Sequence, residues 1–345
     1  MKQENSHTAT PTPKKTTKIA LIAGGVGAVV LIAGYFVVQS QVTDSARTDI
    51  DNFLRNNNMD RYVQYRDIDA SLFGQSVTLH NVRLDFGETQ GTIEAINVSN
   101  YDVDERSGHL NSIDILLEGT DFPINPGRAS FFQRRSAPPP YLIGVDAVRG
   151  DFGMEYEYDN VSGTLDADVN FSLPDLMEGE LTIGIGNLHL PPIDRLASRK
   201  FAKMSSVLRD ASTADLKAIS LSLTDLGLEN KVAEYFSVKE GMALDAEAYR
   251  DHIVEVLEKN IEKTPPGTPF EEHLADIAKS ATGSSGGTLS VSYEPEYPTT
   301  FEDMGAAAFG LMFGGLGALG NGFYQNSEIL NDLYDRDVLK IEFDS

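Results

Sequence analysis

The sequence predicts an α+β chain, mostly antiparallel β, with one N-terminal transmembrane helix followed by a curved, bulged sheet and helices inserted in its C-terminal half. Three observations carry this expectation. Residues 19–38 are 20 residues without a charge. From Val77 to Leu190 apolar residues recur with period two, the signature of strands. In the C-terminal half, segments with apolar residues three and four apart interrupt that alternation, the signature of helices.

The apolar run Ile19–Val38 would rise about 30 Å as a helix, the thickness of a bilayer's hydrocarbon core. Lys14, Lys15 and Lys18 precede it, and the next basic residue is Arg47. The positive-inside rule then puts the N-terminus in the cytoplasm and the bulk of the chain across the membrane. Ile19, Leu21, Ile22, Val29, Val30, Leu31, Ile32 and Phe36 are the expected anchor residues, with Tyr35 and Phe36 at interfacial depth. Ala20, Gly24 and Ala28 form a small-residue stripe at intervals of four that could pair with a second copy or another helix. The alternative is a cleaved signal peptide. Val38-Gln39-Ser40 would pass as a cleavage site, but the run exceeds the usual length of a signal's apolar core. The organisation expected is a disordered tail (1–17, Ser-, Thr-, Pro- and Lys-rich), an anchor (18–39), a juxtamembrane helix (40–60) and a β-rich domain (61–345) with a sub-boundary near 191–215.

The formal net charge is −24, and it is unevenly placed. Residues beyond the first 18 hold 24 of the 28 basic and 51 of the 52 acidic side chains. Such a surface repels phosphate backbones, which excludes nucleic-acid partners. The chain has no cysteine, which excludes disulfides, thiolate metal sites and cysteine nucleophiles.

Past the anchor, Val42, Ala46, Ile50 and Leu54 make one helical face, and Asn56-Asn57-Asn58 stops it. Strands are expected at Val77–Leu84, Ile93–Val103, Ile113–Leu117, Ile143–Val148, Met154–Tyr158, Val161–Phe171 and Leu181–Leu190. Residues 121–140 read as a Pro/Gly-rich loop, and Asp159-Asn160 as a hairpin turn. Helices are expected at Leu196–Asp210, Leu228–Val238, Asp245–Lys263 and Phe270–Ser280, then strands at Thr288–Tyr293 and Val338–Phe343. One pattern recurs. Val77, Leu79, Asn81, Val82, Leu84 has apolar residues alternating until an Asn, after which the alternation resumes one residue out of phase. Leu181–Leu190 repeats this around Asn187, and Ile219–Leu228 around Asp225. A one-residue shift turns a strand's apolar set to its other face. Asn and Asp tolerate the bulged or left-handed geometry this needs, so the expectation is long, bent strands whose apolar face is redirected at the Asn or Asp.

Met304–Gln325 is a second uncharged stretch. Seven of its residues are glycine, each costing about 1 kcal/mol in a helix relative to alanine. It reads less as a second span than as a contact with the membrane or an apolar groove, through Phe309, Leu311, Met312, Phe313, Leu316 and Leu319, or as an ordinarily buried segment.

No catalytic, cofactor-binding or metal-ligating set stands out. The six histidines (7, 80, 109, 189, 252 and 273) show no metal-ligand spacing. No GxSxG elbow or phosphate loop is present. The acid pairs Asp67/Asp69 and Asp166/Asp168 each share a strand face, a pattern that 52 acids produce by chance. Asp332, Asp335 and Asp337 lack the ordered spacing and glycine of a calcium loop.

Tyr65-Arg-Asp-Ile-Asp-Ala-Ser-Leu-Phe-Gly-Gln-Ser-Val-Thr-Leu-His-Asn-Val-Arg-Leu84, behind a single N-terminal helix, resembles the start of AsmA-like Gram-negative envelope proteins. Leu223-Thr-Asp-Leu-Gly-Leu228 followed by helices and Gly287-Thr-Leu-Ser-Val-Ser292 is similar to periplasmic proteins of the YdgA type. These resemblances imply a bacterial inner-membrane protein with its bulk in the periplasm. They also imply a non-enzymatic β-groove that binds or passes lipid, and transfer no catalytic residue. The expected partners are membrane lipid, and envelope proteins or a second copy through the anchor helix. A structural or interaction module of the envelope, without a ligand groove, is the alternative.

Overall fold

The computed structural model describes residues 43–56, 59–71, 76–85, 90–104, 106–124, 140–190, 192, 214–239, 246–263, 265–297, 299–300 and 327–345. Their architecture is α+β and dominated by one antiparallel sheet. Its strands are β1 (Val63–Gln64), β2 (Asp67–Ser71), β3 (Ser76–Asp85), β4 (Gln90–Val103), β5 (Leu110–Pro123), β6 (Ala147–Asp159), β7 (Thr164–Leu173), β8 (Met177–Gly186), β9 (Asp215–Asp225), β10 (Gly287–Tyr293), β11 (Thr299–Thr300) and β12 (Leu339–Asp344). From β3 to β10 each strand pairs with its neighbour in sequence. At one edge β1 and β2 share β3; at the other β12 closes on β10, while β11 pairs with β9. The sheet runs unbroken across the sub-boundary expected near 191–215, because β8 and β9 are hydrogen-bonded neighbours.

The two halves of β3 meet at Asn81, which is exposed where the alternation of Val77 and Leu79 would bury it. Val77 and Leu79 are buried, and so are Val82 and Leu84. Strict alternation would send the second pair to the opposite face. Asn81 absorbs the extra step with φ 53°, a left-handed conformation that Asn tolerates better than other side chains. The step then crosses the sheet as a line. Asn81 falls opposite Glu94, between the pairs His80–Ala95 and Val82–Ile93. Glu94 falls opposite Gly119, where φ is 60°. The β5–β6 register shifts between Leu117 and Thr120, opposite Gly150. In step with this, the buried set moves from Ile93 to Ile96 on β4 and from Leu117 to Thr120 on β5. Three strands, β3 to β5, therefore change phase together and keep one apolar face, and β6, which alternates without a step, takes up the difference as the register shift.

Two further asparagines do the same locally. Asn100 (φ 49°) separates buried Val98 from buried Tyr101 at a register shift, and its amide donates to Asp114 on β5. Asn187 (φ 52°) ends β8, donates to Asp215 on β9, and precedes buried Leu188. Leu79–Val82, Val98–Tyr101 and Ile185–Leu188 all read apolar-x-Asn-apolar. The expected copy at Asp225 is different. Positive φ there belongs to Gly227 (φ 140°), while the Asp225 Oδ1 accepts the Glu229 N–H at 3.1 Å. A carboxylate placed before a helix is drawn to its unpaired N–H groups, so Asp225 caps rather than bulges.

Three other expectations are corrected. Val161 and Gly163 belong to a wider turn (160–163) rather than to β7, because the Asp159 carboxylate accepts the Val161 N–H and the Ser162 hydroxyl, and Gly163 takes φ 66°. The strand expected at Ile143–Val148 is a 3-10 turn (Pro140–Ile143) followed by β6, with Gly144 at φ 77° breaking any extension between them. The loop expected from 121 starts after Pro123, which still pairs with Ala147.

The helices are α1 (Thr43–Asn56), α2 (Leu228–Lys239), α3 (Ala246–Lys263), α4 (Pro269–Gly283) and α5 (Ser327–Asp335). The helix expected at Leu196–Asp210 lies outside the described residues. In α1, Ile50 and Leu54 are buried in the same core as β1–β5. The Tyr65 hydroxyl donates to the Asp51 carboxylate at 2.7 Å, and Arg47 donates to the Arg66 carbonyl at 2.9 Å. The start of α4 is set by Thr268, whose side chain accepts the Glu271 N–H, with Pro269 in the first turn. Phe270, Leu274, Ile277 and Ala281 then bury one face. A second core joins α4 and α5 to β9, β10 and β12 through Leu216, Ile219, Phe270, Val291, Leu330 and Ile341.

Asn81→Val is expected to destabilise the fold by about 1–2 kcal/mol, because a β-branched side chain is strained at positive φ, while Asn81→Gly should be close to neutral. Gly150→Ala is expected to cost about 2–3 kcal/mol, since φ is 154° and an added Cβ would lie 2.0 Å from the Ser172 carbonyl oxygen. Urea unfolding midpoints at constant m-value check both.

Candidate functional site

Cross-strand pairing arranges the apolar side chains in rows that run the width of the sheet. One row is Ile115, Met154, Val169, Leu181, Leu221, Val291 and Ile341, each directly opposite the next on β5 to β10 and then β12. A second runs Ile113, Tyr156, Ala167, Ile183, Ile219, Tyr293 and Leu339. A third passes Phe152, Phe171, Gly179 and Leu223. A Cβ on Gly179 would lie 2.6 Å from the Phe171 ring, so the glycine makes room for that ring. Directly paired residues point to one side, so this is a single apolar face.

Its two ends are covered and its middle is not to the same degree. Phe152, Met154 and Tyr156 on β6 pack at the margin of the first core, and Leu181 and Ile183 on β8 at the margin of the second. Leu165, Ala167, Val169 and Phe171 on β7 belong to neither core, and β7 has no fully buried residue. The seam between the two cores is therefore a half-buried apolar strip about one strand wide. Burial pushes the Tyr156 hydroxyl well above its ordinary range, with Tyr158 adding to the shift.

The other face is acidic. Asp114, Glu155, Asp168, Thr182, Ser220, Ser292 and Lys340 form one of its rows. Glu157 stands opposite Asp166. Asp166 and Asp168, singled out from the sequence, thus lie among other carboxylates, and the Asp168 carboxylate accepts the Thr182 hydroxyl at 2.5 Å. Asp69 is paired with His80 at 3.0 Å, while the Asp67 side chain accepts the next residue's N–H. Among the described residues, no group of three or more His, Asp or Glu is placed to hold a metal ion.

Three turns at one end of the sheet are tied together. The Asp104 carboxylate accepts the Ser107 hydroxyl at 2.5 Å, the Arg106 N–H at 3.0 Å and the Asn160 amide at 3.1 Å. His109 Nε2 donates to the Leu190 carbonyl at 2.9 Å, and the Tyr158 hydroxyl to that of Leu188 at 2.9 Å. Beside this knot a shallow cleft is lined by Asn111, Ser112, Glu157, Tyr158, Asp159 and Asp166. Another, between Arg83, Gln90, Thr92 and Asp121, lies across β3–β5. Both clefts open broadly to solvent.

The expected anchor residues (Ile19, Leu21, Ile22, Val29, Val30, Leu31, Ile32 and Phe36) and the expected contact residues (Phe309, Leu311, Met312, Phe313, Leu316 and Leu319) lie outside the described residues. Among those that are described, no helix is long and apolar enough to cross a membrane. The seam at β7 was missed from the sequence. Its signal was the alternation itself, since β7 and β8 alternate as clearly as strands that are fully covered.

A protein-family model described as "Uncharacterized protein" matches residues 170–313. That segment begins in β7, beside the seam, and includes β8, β9, α2 to α4 and β10. No curated protein matches the chain.

The hydrogen bonds from Ser107, Arg106 and Asn160 hold the Asp104 carboxyl down, to about 2. A carboxylate with a lowered folded value contributes stability above its ordinary range, and loses it as pH falls through the folded value. The three-turn knot is therefore expected to hold above about pH 4 and to loosen toward pH 2. An NMR titration of the Asp104 side-chain carbon should give a midpoint near 2, rising toward 3.8 in Ser107→Ala and less so in Asn160→Ala.

Proposed function

We propose that this chain is a non-enzymatic bacterial envelope protein, tethered to the inner membrane by Ile19–Val38, that uses the apolar face of its periplasmic sheet to bind or pass lipid. The observation that carries the reading is the β7 seam. A sheet strip with apolar side chains on every strand, flanked by two closed cores, costs hydration unless an apolar surface meets it. The acidic opposite face keeps that strip the one apolar side of the central sheet. In this reading Phe309, Leu311, Met312, Phe313, Leu316 and Leu319 contribute a further apolar contact to membrane or groove. The net charge disfavours anionic headgroups on the sheet itself.

A second reading, an envelope interaction module without a ligand, is favoured by a different observation. The clefts among the described residues are shallow and open, unlike the enclosed pockets that hold small ligands.

Lipid extraction and mass spectrometry of the full chain separate the two. The lipid reading predicts a stoichiometric lipid after exchange into a lipid-free surfactant. Val169→Asp should reduce it at least several-fold, and Asn170→Asp, on the acidic face, should leave it unchanged. Absence of bound lipid in the wild type, with a stoichiometric crosslinked protein partner, would establish the interaction module instead.

Topology is testable because the chain has no cysteine. Val161, which is 92% exposed, can be replaced by Cys, and Ser6 likewise. An impermeant maleimide should label Val161→Cys in spheroplasts without lysis, and Ser6→Cys only after lysis. The reverse pattern would overturn the orientation.

A further inference from the structure

The sheet ends at β12, and among the described residues no strand pairs with its outer side. One bond fixes which backbone groups face outward there. The Glu294 N–H donates to the Val338 carbonyl at 2.9 Å, so Val338 turns its backbone groups toward the β10 side. Hydrogen-bonded and non-hydrogen-bonded pairs alternate along an antiparallel ladder. Lys340, Glu342 and Asp344, opposite Ser292, Ser290 and Thr288, therefore bond to β10. Leu339, Ile341 and Phe343 turn their N–H and C=O groups outward. The contact with α4 agrees, because His273 Nε2 donates to the Ile341 carbonyl at 2.5 Å. That carbonyl keeps a second lone pair. Such a row of outward donors and acceptors is a template for another strand.

The side chains decide which strand fits. Leu339 and Ile341 are buried and Phe343 is half-buried, all packed in the second core, while Lys340 and Glu342 are exposed on the acidic face. A lone lysine blunts an edge against pairing. Here a glutamate stands two residues from it. A second copy of β12 laid antiparallel must set outward-facing groups opposite one another, so the central two-fold axes pass through Lys340, Ile341 or Glu342. An axis at Lys340 sets that lysine against itself, and one at Glu342 sets the glutamate against itself. Like charges directly opposite are destabilising. The axis at Ile341 instead pairs Lys340 with Glu342 twice, Leu339 with Phe343 twice and Ile341 with itself, through about six backbone hydrogen bonds. Lys340 Nζ lies 3.4 Å from the Asp337 carboxylate, an exposed ion pair of the kind that contributes little and does not hold the lysine back. The net charge of −24 opposes association at long range, so this local match of unlike charges is what favours the register.

We propose that β12 is a homodimer interface, at which two copies pair antiparallel, edge to edge, about a two-fold axis at Ile341. The two sheets then become one. The apolar row that ends in Leu221, Val291 and Ile341 continues into Ile341, Val291 and Leu221 of the second copy. The interface uses one patch twice, as closed two-fold symmetry requires. It lies at the opposite edge of the sheet from β1 and β2. Pairing in the plane of the sheet leaves its apolar face where it was, so the interface and the lipid reading stand or fall separately.

Disulfide trapping reads the register directly. The chain has no cysteine, so Lys340→Cys and Glu342→Cys each carry a single thiol, at an exposed position. Residues 340 and 342 of opposite copies form a non-hydrogen-bonded pair with Cα atoms about 4.5 Å apart, within disulfide reach. Residue 340 and its own counterpart are diagonal neighbours about 7–8 Å apart, beyond it. Mild oxidation of the two full-length variants mixed is expected to give several-fold more linked dimer than either variant alone. A mixture that yields no more than the single variants overturns the pairing. Sedimentation equilibrium of the full chain supplies a second readout. The wild type is expected to dimerise, Lys340→Glu to weaken the dimer several-fold, and Lys340→Glu/Glu342→Lys to restore it. A monomeric wild type overturns the interface. So does a dimer that Lys340→Glu leaves unchanged, which would belong to the anchor helix instead, and so does a double variant no tighter than Lys340→Glu.

Discussion

The structure depends on how a long strand changes direction without losing its face. β4 and β5 each run 14 residues, more than twice the usual strand length. Alternation at period two is rigid bookkeeping, and any extra residue would turn the rest of the strand inside out. A single positive-φ residue takes up the extra step, and Asn81 supplies it on β3. On β4 and β5 the change is met at Glu94 and Gly119, directly alongside. An isolated step on one strand would leave its partners out of phase. The aligned one keeps β3 to β6 paired, and so gives α1 a continuous apolar surface on which Ile50 and Leu54 close the first core.

The apolar rows and the acidic rows follow from that shared phase. Because every strand from β5 to β10 is paired directly with its neighbour, each residue type is copied sideways across the sheet. Like charges then face each other, as at Glu155–Asp168 and Glu157–Asp166, which is unfavourable at close range. Their exposure to solvent weakens the repulsion, and Thr182 donates to Asp168. The same copying makes the half-buried strip at β7 continuous with both cores instead of an isolated patch. Function, on the proposed reading, comes from where the helices stop rather than from any special residue on β7.

Much of this was legible in the sequence. The α+β class, the helical face at Ile50 and Leu54, the phase shift at Asn81 and the helices from residue 228 to 283 were all read from spacing alone. Asn100 was overlooked although Val98-Ser-Asn-Tyr101 repeats the same pattern, because the strand around it was read as one alternating block. Asp225 was misread because its pattern matches the asparagines, and only the helix that follows decides between bulge and cap. The β7 seam was invisible because alternation reports which face is apolar and carries no information about what covers it.

The docking of α1 bears directly on the proposed tether. A span ending at Val38 leaves residues 39–42 before α1 begins, a reach of about 18 Å even when fully extended. The hydrogen bonds of Tyr65 to Asp51 and Arg47 to Arg66, with Ile50 and Leu54 in the core, fix α1 to β1–β3. A tether this short attached to a helix this firmly held would not let the sheet roam. It would keep the start of α1, and with it the nearby β1–β3 edge, close to the bilayer, with the β7 seam three strands beyond β4 along the same apolar face. Such an arrangement suits a surface that receives an apolar molecule from the membrane at one edge and shelters it farther along. It suits a freely searching adaptor much less, because an adaptor gains from a long linker and this chain, so anchored, would have almost none.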